Sequence, residues 1–534
     1  MKKFIYSIVI SILALSSCTD DLDQAPTDPD LFTEIDVYST EAEAKSALAK
    51  LYAGLALTGQ QGPAGQADIQ GIDEGFSQFS RMLFNLNELT TDHAVVGWGD
   101  PGLPNLHTMT WGSGNDFTTA MYYRLAQEVT FTNSFISNVG NLPESTEVDS
   151  YRAEARFLRA YAYYNLMDLF ADVPLVTEIT TALPEQASRN DIFTFVETEL
   201  LEIQDQLLPA QSNEYGRVDQ AAAWALLSRL YLNAEVYTGT AMYDKAVEFA
   251  GKVVNTSYSI NTTDGNGNGS GYDELFLADN DTNGAQNENI FLLAFDGNNS
   301  QTYGGTTFLV HATIGGSMDA EAYGVNGGWA GYRTTKGLVE KFDNSVTNRD
   351  DAGDPIEWAD ERAQFYTDGQ EYEIATIANT FTDGYALPKF KNVDVDGNPG
   401  SDTAGDFSDI DLPLIRLAEI YLNYAEGVVK GGGGDLGTAV DLVNELRDRA
   451  GATRITSGQL TAQFVLDERS RELHWEGLRR TDLIRYGQFT SGTYLWPFKG
   501  GTSNGRAVDS FRNIFPLPDN VLLINKNLVQ NPGY

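Results

Sequence analysis

Twenty consecutive residues, Tyr151 to Phe170 (YRAEARFLRAYAYYNLMDLF), are apolar or aromatic on nearly every side of a helical wheel. A helix without a broad polar face cannot lie on a surface, so this one must be enclosed by other helices. Arg152, Arg156 and Arg159 keep one edge wet or paired with acids. The chain is therefore constrained to a layered, mainly α fold with at least one helix at its centre.

The rest of the chain supplies partners for that helix. Ala44, Ala47, Leu48, Leu51 and Leu55 fall at helical spacing and predict a helix from Glu41. Helical periodicity returns over 117–139. Asn190-Asp191 predicts the cap of a helix over 192–208, stopped by Pro209. Residues 220–236 and 243–254 read as a helix pair. The triplet Tyr231-Leu232-Asn233 recurs as Tyr421-Leu422-Asn423, each followed by a turn and a second helix. A small residue, Ala246 or Ala439, stands early in that second helix, where two helices would cross closely. Repeated pairs of this kind suggest a tetratricopeptide-like array, although the second loop is longer and carries Gly431 to Gly434. Between the two echoes, residues 255–410 are dense in Gly, Asn, Asp and Thr. They read as a loop-rich lobe carried by the helical scaffold, the place where variable, ligand-binding surface is expected.

The N-terminus sets location. Lys2 and Lys3 precede an apolar run, Phe4 to Leu15, that is too short to span a bilayer. Leu15-Ser16-Ser17-Cys18 resembles a bacterial lipoprotein signal, and Cys18 is the only cysteine of the chain. It cannot form an internal disulfide, and acylation accounts for it; an ordinary secretory signal with an incidental cysteine is the alternative. The organisation expected is a signal peptide at 1–17, a lipidated acidic tether at 18–37, a helical N-terminal part at 38–254, the lobe at 255–410, and a helical C-terminal part at 411–534. No other run approaches the roughly 20 apolar residues of a spanning helix, so the membrane is expected to be met through the lipid alone.

Seventy-five acidic residues against 35 basic ones leave a net charge of −40. Nucleic acid and anionic lipid surfaces would be repelled, and neutral ligands, or cations, fit the balance better. The same surplus keeps a protein soluble in a salty medium, where screening is strong.

Five segments, in order, resemble the SusD/RagB family of nutrient-uptake lipoproteins of Bacteroidetes. They are the signal ending at Cys18, Ala153 to Val176, Ile415 to Gly451, Leu466 to Gly487, and Phe515 to Tyr534. The resemblance implies a SusD-like fold of tetratricopeptide-like helix pairs with a loop-rich ligand lobe. It implies an outer-membrane location facing the cell exterior, with Asp20, Asp21 and Asp23 as an export signal. It also implies a partner, a TonB-dependent SusC-like barrel over which the lipoprotein sits as a lid, and an oligosaccharide or polysaccharide ligand. Some members resemble peptide-uptake proteins. The chain departs from the family at Leu89-Thr90-Thr91-Asp92-His93, where a second acid is common; no polar contact near residue 92 is carried over.

Sugar rings stack their C–H faces on flat aromatic side chains, while a few fixed polar groups take the hydroxyls. Trp98, in VVGWGDPG, and Trp329, in VNGGWAGYRTTKG, sit in such loops. With Tyr332, Arg333, Asp100 and Asn326 they form the expected glycan-binding set; the competing reading is that each tryptophan anchors its own loop. Trp111 and Tyr303 are weaker candidates, Trp224 and Trp475 read as core, and Trp358 and Trp496 are unassigned. Asp264 to Gly269, Asp279 to Gly284 and Asn392 to Gly397 partly match a calcium loop. Their twelfth positions are Leu275, Ile290 and Thr403 rather than Glu, so they read as plain turns and allow at most a structural calcium. His93, His107, His311 and His474 form no zinc pattern, and no metal or cofactor is expected. No nucleophile motif stands out. Leu466 to Gly487 alternates acids and arginines, an intramolecular salt-bridge lattice by default and a docking surface for the barrel otherwise. The leading expectation is a non-catalytic, cell-surface glycan-binding lipoprotein. A surface-anchored glycoside hydrolase, or a peptide-capture protein of the same fold, are the alternatives.

Overall fold

A computed structural model describes residues 37–377 and 380–534. Cys18, the signal peptide and all of the acidic tether but residue 37 lie outside the described residues. Among the described residues, eleven helices make the frame. They are α1 (Glu41–Ala56), α2 (Phe79–Asn87), α3 (Asp116–Val139), α4 (Thr146–Phe170), α5 (Arg189–Ile203), α6 (Gln220–Leu232), α7 (Tyr243–Val254), α8 (Leu417–Val429), α9 (Leu436–Arg449), α10 (Ala462–Leu473) and α11 (Arg479–Arg485).

The central helix is α4, as its sequence demands. From Phe157 to Phe170 every residue is buried, with Phe157, Leu158, Tyr161, Met167 and Phe170 in the core. It packs against α1, α3 and α5. The arginine edge is paired: Arg156 and Arg159 share Glu199 of α5 at 2.7 Å each, and Arg152 reaches Asp149 at 3.1 Å. The first helix begins at Glu41 and the pair partner spans Tyr243–Val254, as the periodicity predicts.

Two helix ends differ from the sequence reading. The N-cap of α5 is Ser188, not Asn190-Asp191. Asp191 stands at the third helical position and accepts a 3.1 Å bond from the Ser188 N–H, a capping box that starts the helix earlier. The same helix ends at Ile203, where tightened turns lead toward Pro209. In α6, the helix stops at Leu232. Asn233 folds its amide back on the Arg229 carbonyl at 2.9 Å and accepts from Arg485, and a short separate turn follows.

The repeated pairs are physically continuous. Helix α7 packs directly on α8 across the long intervening lobe of the sequence. Ala246 and Ala439 are buried, and a Cβ at Gly427 of α8 would stand 2.6 Å from Val247. The loop-rich segment thus leaves the array and returns to it. Short antiparallel strands tie it to the rest of the chain. The pair β1 (Val95–Val96) and β3 (Tyr332–Arg333) is one ladder, and β2 (Asn289–Leu293) with β4 (Leu412–Arg416) is another.

Charge, not apolar contact alone, joins lobe to frame. Glu472 of α10 meets Arg416 at 2.7 Å, Arg362 of the lobe at 3.1 Å, and Arg449 of α9. Arg416 and Arg449 also grip Glu288 at 2.8 and 2.7 Å, and Arg362 grips Glu468 at 2.9 Å. Lys389 of the lobe reaches Glu476 at 2.7 Å. All of these side chains are buried, so the acid–arginine run at 466–487 is an internal lattice over Glu468, Arg469, Glu472, Glu476, Arg479 and Arg480 rather than a docking surface. Burial alone would raise the Glu468 carboxyl, but Arg362, Arg471 and Arg447 overcome it and hold it at about 2. Glu426 is likewise held at about 2, its burial outweighed by Arg485. Against its own burial, Glu472 is pulled down further by Arg449, Arg416 and Arg362.

These carboxyls titrate lower in the folded chain than in the unfolded one, so their contribution is complete above about pH 4.5 and lost as pH falls toward 2. Denaturant unfolding at stepped pH should show stability falling across that window. Glu472→Ala, which takes a shared partner from three buried guanidinium groups, should cost about 3–5 kcal/mol at neutral pH.

Candidate functional site

Two loops far apart in sequence meet over the β1–β3 ladder. Val95 pairs with Arg333 and Val96 with Tyr332; beyond the ladder, the Gly97 N–H donates to the Gly331 carbonyl at 2.7 Å. The Trp98 indole N–H then donates to the Trp329 carbonyl, 231 residues on, at 3.0 Å. This approach depends on Gly331: a Cβ there would sit 2.3 Å from the Trp98 ring. The next residue back, Ala330, holds φ at +51°, which turns the Trp329 segment over the ladder.

Both tryptophans are half-buried and firmly backed. Trp98 stands edge-on to Tyr332 at 5.3 Å and tilted to Phe308 at 6.4 Å. Trp329 is stacked on His311, with centroids 4.8 Å apart and planes 15° from parallel. His311 is fixed by the Gly327 and Asp406 carbonyls at 2.6 and 3.1 Å, and burial lowers its pKa against the opposing pull of those two acceptors. Tyr303 joins the group, 6.3 Å from Trp329 with its plane turned by 57°, and rests on Phe407 at 5.5 Å. Arg81 closes the other side. Its guanidinium donates to the Tyr303 carbonyl at 3.1 Å and to the Gly75 carbonyl, and stands 6.0 Å from the Trp98 ring and 4.5 Å from Phe308. A cleft of about 440 Å³ is lined by Arg81, Trp98, Asp100, Phe76, Asp116 and Phe117.

The expected set is only partly at this surface. Trp98 and exposed Asp100 line the cleft, and half-buried Trp329 is tied to Trp98 beside it. Tyr332 and Arg333 are not at the surface: both belong to β3 and are buried, 1% and 0% exposed. The Tyr332 hydroxyl donates to Asn85 beneath the platform, and Arg333 donates to the Thr380 carbonyl. They support the platform and cannot touch a ligand on it. Asn326 is exposed, but its amide is committed to the Ala404 carbonyl at 2.9 Å and Asp406 at 2.6 Å, holding the neighbouring loop. Arg81 was invisible in the sequence because its partners come from loops elsewhere in the chain. Tyr303, in NNSQTYGG, met the same Gly/Asn-rich criterion that picked out Trp98 and Trp329.

Other candidates resolve elsewhere. Trp111, Trp475 and Trp496 are buried, and Trp224 packs on the core with its N–H given to Gln204 at 3.0 Å. Asp92 holds Arg479 through two 2.7 Å bonds, and His93 bridges Glu88 and Ser470 at 2.8 and 2.6 Å, so the departure at residue 93 completes an internal lock. In the calcium-like stretches, Asn266 and Asn268 both donate to Asp273, and Asp394 accepts from the backbone of Asp396 and Asn398. Among the described residues no group of three or more His, Cys, Asp or Glu side chains is placed to hold a metal ion, and no helix is long and apolar enough to cross a membrane.

Comparison with known proteins gives a consistent picture. The SusD family profile matches residues 287–534, and a profile described as "Starch-binding associating with outer membrane" matches residues 31–232. The "Starch-binding protein SusD" of Bacteroides thetaiotaomicron is 35% identical over 570 aligned positions, covering 100% of this chain and 99% of that protein. A SusD-like protein from Bacteroides fragilis superposes with a TM-score of 0.70 at 19% identity, over 96% of this chain and 100% of that one. The surface glycan-binding protein A of Bacteroides fluxus gives 0.68 at 20% identity, over 93% and 100%. The two structures show the shared fold.

Gly331→Ala tests the packing of the platform. The added methyl must displace the Trp98 ring, so denaturant unfolding should report a loss of about 1–3 kcal/mol, with a changed near-ultraviolet dichroism of tryptophan.

Proposed function

The chain belongs to the SusD family, and from that premise we propose that it is a non-catalytic glycan-binding lipoprotein, anchored through Cys18 to the outer membrane and facing the cell exterior. It captures a starch-type α-glucan and passes it to a TonB-dependent, SusC-like barrel. The observation that carries this reading is the cluster of three half-buried rings, Trp98, Tyr303 and Trp329, gathered from distant loops beside Arg81. Rings held this firmly have little freedom left to lose on binding, which favours stacking of sugar faces.

The ligand class rests on two further supports. The relative at 35% identity is named for starch binding. The 57° between Tyr303 and Trp329 suits a curved chain better than a flat ribbon, because successive sugar faces must turn to meet both rings. The Arg81 guanidinium and the Asp100 carboxylate supply donors and acceptors for hydroxyls at the cleft. The surplus of acid over base is compatible with a neutral polymer and unfavourable for a sulfated one. The reading calls for no metal or cofactor.

Asp100 and Asp116 line one cleft, which keeps a hydrolase in view as the second reading. Both readings are separated by one set of measurements. In native gels containing amylopectin, Trp98→Ala and Trp329→Ala should each weaken retention by about 1–3 kcal/mol, while a peptide mixture should not compete. Unchanged retention in both variants would overturn the site. Incubation with starch should release no reducing ends; turnover abolished by Asp100→Asn would overturn the non-catalytic assignment.

A further inference from the structure

A hairpin of Val346–Arg349 and Pro355–Trp358 ends on a second cleft, of about 300 Å³. Its lining includes Trp358, Phe365, Tyr366 and Tyr323, with Glu361 and Lys391 among the polar residues. No residue is shared with the cleft beside Trp98. The volume is at the small end of ligand pockets, which run from about 300 to 1,000 Å³, and admits a sugar ring or two rather than a chain.

The aromatic side chains here are held in place by the fold. Trp358 is set by its pairing with Val346, and the Ala359 N–H after it donates to the Ser345 carbonyl at 2.7 Å. It stands edge-on to Phe365 at 5.0 Å, and Phe365 stands edge-on to buried Phe342 at 5.5 Å. Tyr366 is tied at both ends. Its backbone N–H donates to the Ala386 carbonyl at 2.9 Å, and its hydroxyl bonds the Ser317 hydroxyl at 2.9 Å. The wall at Asp360 is anchored by Arg362, which donates to it at 2.9 and 2.7 Å and reaches Glu472 in the buried lattice. Trp358, Tyr323, Phe365 and Tyr366 are nonetheless only half-buried, so each keeps some surface open to contact.

The polar residues of the lining divide into spent and free. Asp360 is spent on Arg362, and the Asn268 amide donates to Asp273 at 2.7 Å. Among the described residues, the Tyr323 hydroxyl, the Lys391 ammonium and the Glu361 carboxylate make no hydrogen bond or ion pair, and none of the three is sealed from solvent. Burial pushes the Tyr323 phenol up to about 12, so it keeps its proton and can donate. The free lysine is out of pattern. In a chain with 75 acidic residues to 35 basic ones, Lys341, Lys389 and Lys430 each have a carboxylate partner, whereas half-buried Lys391 has none.

We propose that this cleft is a second carbohydrate contact, taking one neutral hexose unit of a glycan. The sugar's C–H face lies on Trp358, while its hydroxyls accept from Tyr323 and Lys391 and donate to Glu361. An anionic sugar is disfavoured. Partial burial and then Asp273, Asp360 and Asp264 already raise the Glu361 carboxyl, and a further like charge would add to that strain. Binding here needs nothing from the cleft beside Trp98. Two contacts on one protein would give a polymer an advantage over a short oligosaccharide, since the second contact is made at high local concentration.

The test uses the full mature chain carrying Trp98→Ala, Tyr303→Ala and Trp329→Ala, with the second cleft left intact. Saturation-transfer NMR is recorded with glucose, maltose, cellobiose and mannobiose as probes. At least one of these sugars should still receive saturation. Adding Trp358→Ala should weaken its binding about tenfold. Tyr323→Phe and Lys391→Ala, which remove a polar end and leave the core packing alone, should each weaken it about three- to tenfold. Melting curves confirm that each variant is folded; if Trp358→Ala is not, the two polar changes decide. Absence of transfer from all four sugars in the parent variant, or transfer indifferent to the added substitutions, overturns the proposal. Failure of the first site reads separately, as amylopectin retention that survives loss of Trp98 and Trp329.

Discussion

A carboxylate buried among three guanidinium groups is tolerable only when all of them are in place, and Glu472 is in that position between Arg362, Arg416 and Arg449. The consequence is an all-or-none clamp. Arg362 comes from the lobe, Arg416 from the strand that ends it, Arg449 from the second helix of the last pair. The pairing shell continues through Glu288 to the strand that opens the sheet contact and through Lys389 to Glu476. Helices and lobe therefore cannot settle independently. The clamp also changes what the surface presents. Arg124, Arg333, Arg362, Arg416, Arg479 and Arg480 are among the largest fully buried side chains. A chain with few basic residues spends several of them inside, so its exterior is more one-sidedly acidic than a uniform spread of charge would make it.

On that fixed frame the proposed ligand platform needs very little structure of its own. A two-residue ladder, one indole hydrogen bond and one glycine bring Trp98 and Trp329 together. Buried Tyr332 and the His311 imidazole back the rings from below. The placement agrees with a general division of labour, in which regular elements supply rigidity and irregular loops supply recognition. It also explains why the proposed site draws on distant parts of the chain: Arg81 and Trp98 come before residue 100, Tyr303 and Trp329 after residue 300.

What was legible in the sequence follows the range of the interactions. Helices with a strong 3.6-residue pattern, such as Glu41–Ala56 and Tyr243–Val254, are local facts and were readable as such. The start of α5 was misplaced because a capping box is a reciprocal pair, and Asp191 at the third position looks like a cap by itself. Trp98 and Trp329 stood out because glycine-flanked aromatics have few reasons to be in a loop. Tyr332 and Arg333 lie in the same run as Trp329, but pairing with the distant strand at Val96 and Val95 buries them. Asn326 has the right chemistry at the right distance in sequence; its hydrogens are spent on Ala404 and Asp406. Arg81 had no local signal at all.

The central claim is that a glycan lies across Trp98, Tyr303 and Trp329 without being cut. A crystal structure of the mature chain with maltoheptaose tests it most directly. The account predicts intact sugar rings stacked on these three side chains, with Arg81 within hydrogen-bond distance of a hydroxyl. A ligand bound elsewhere with the three rings bare, or a shortened product in the cleft, would contradict it.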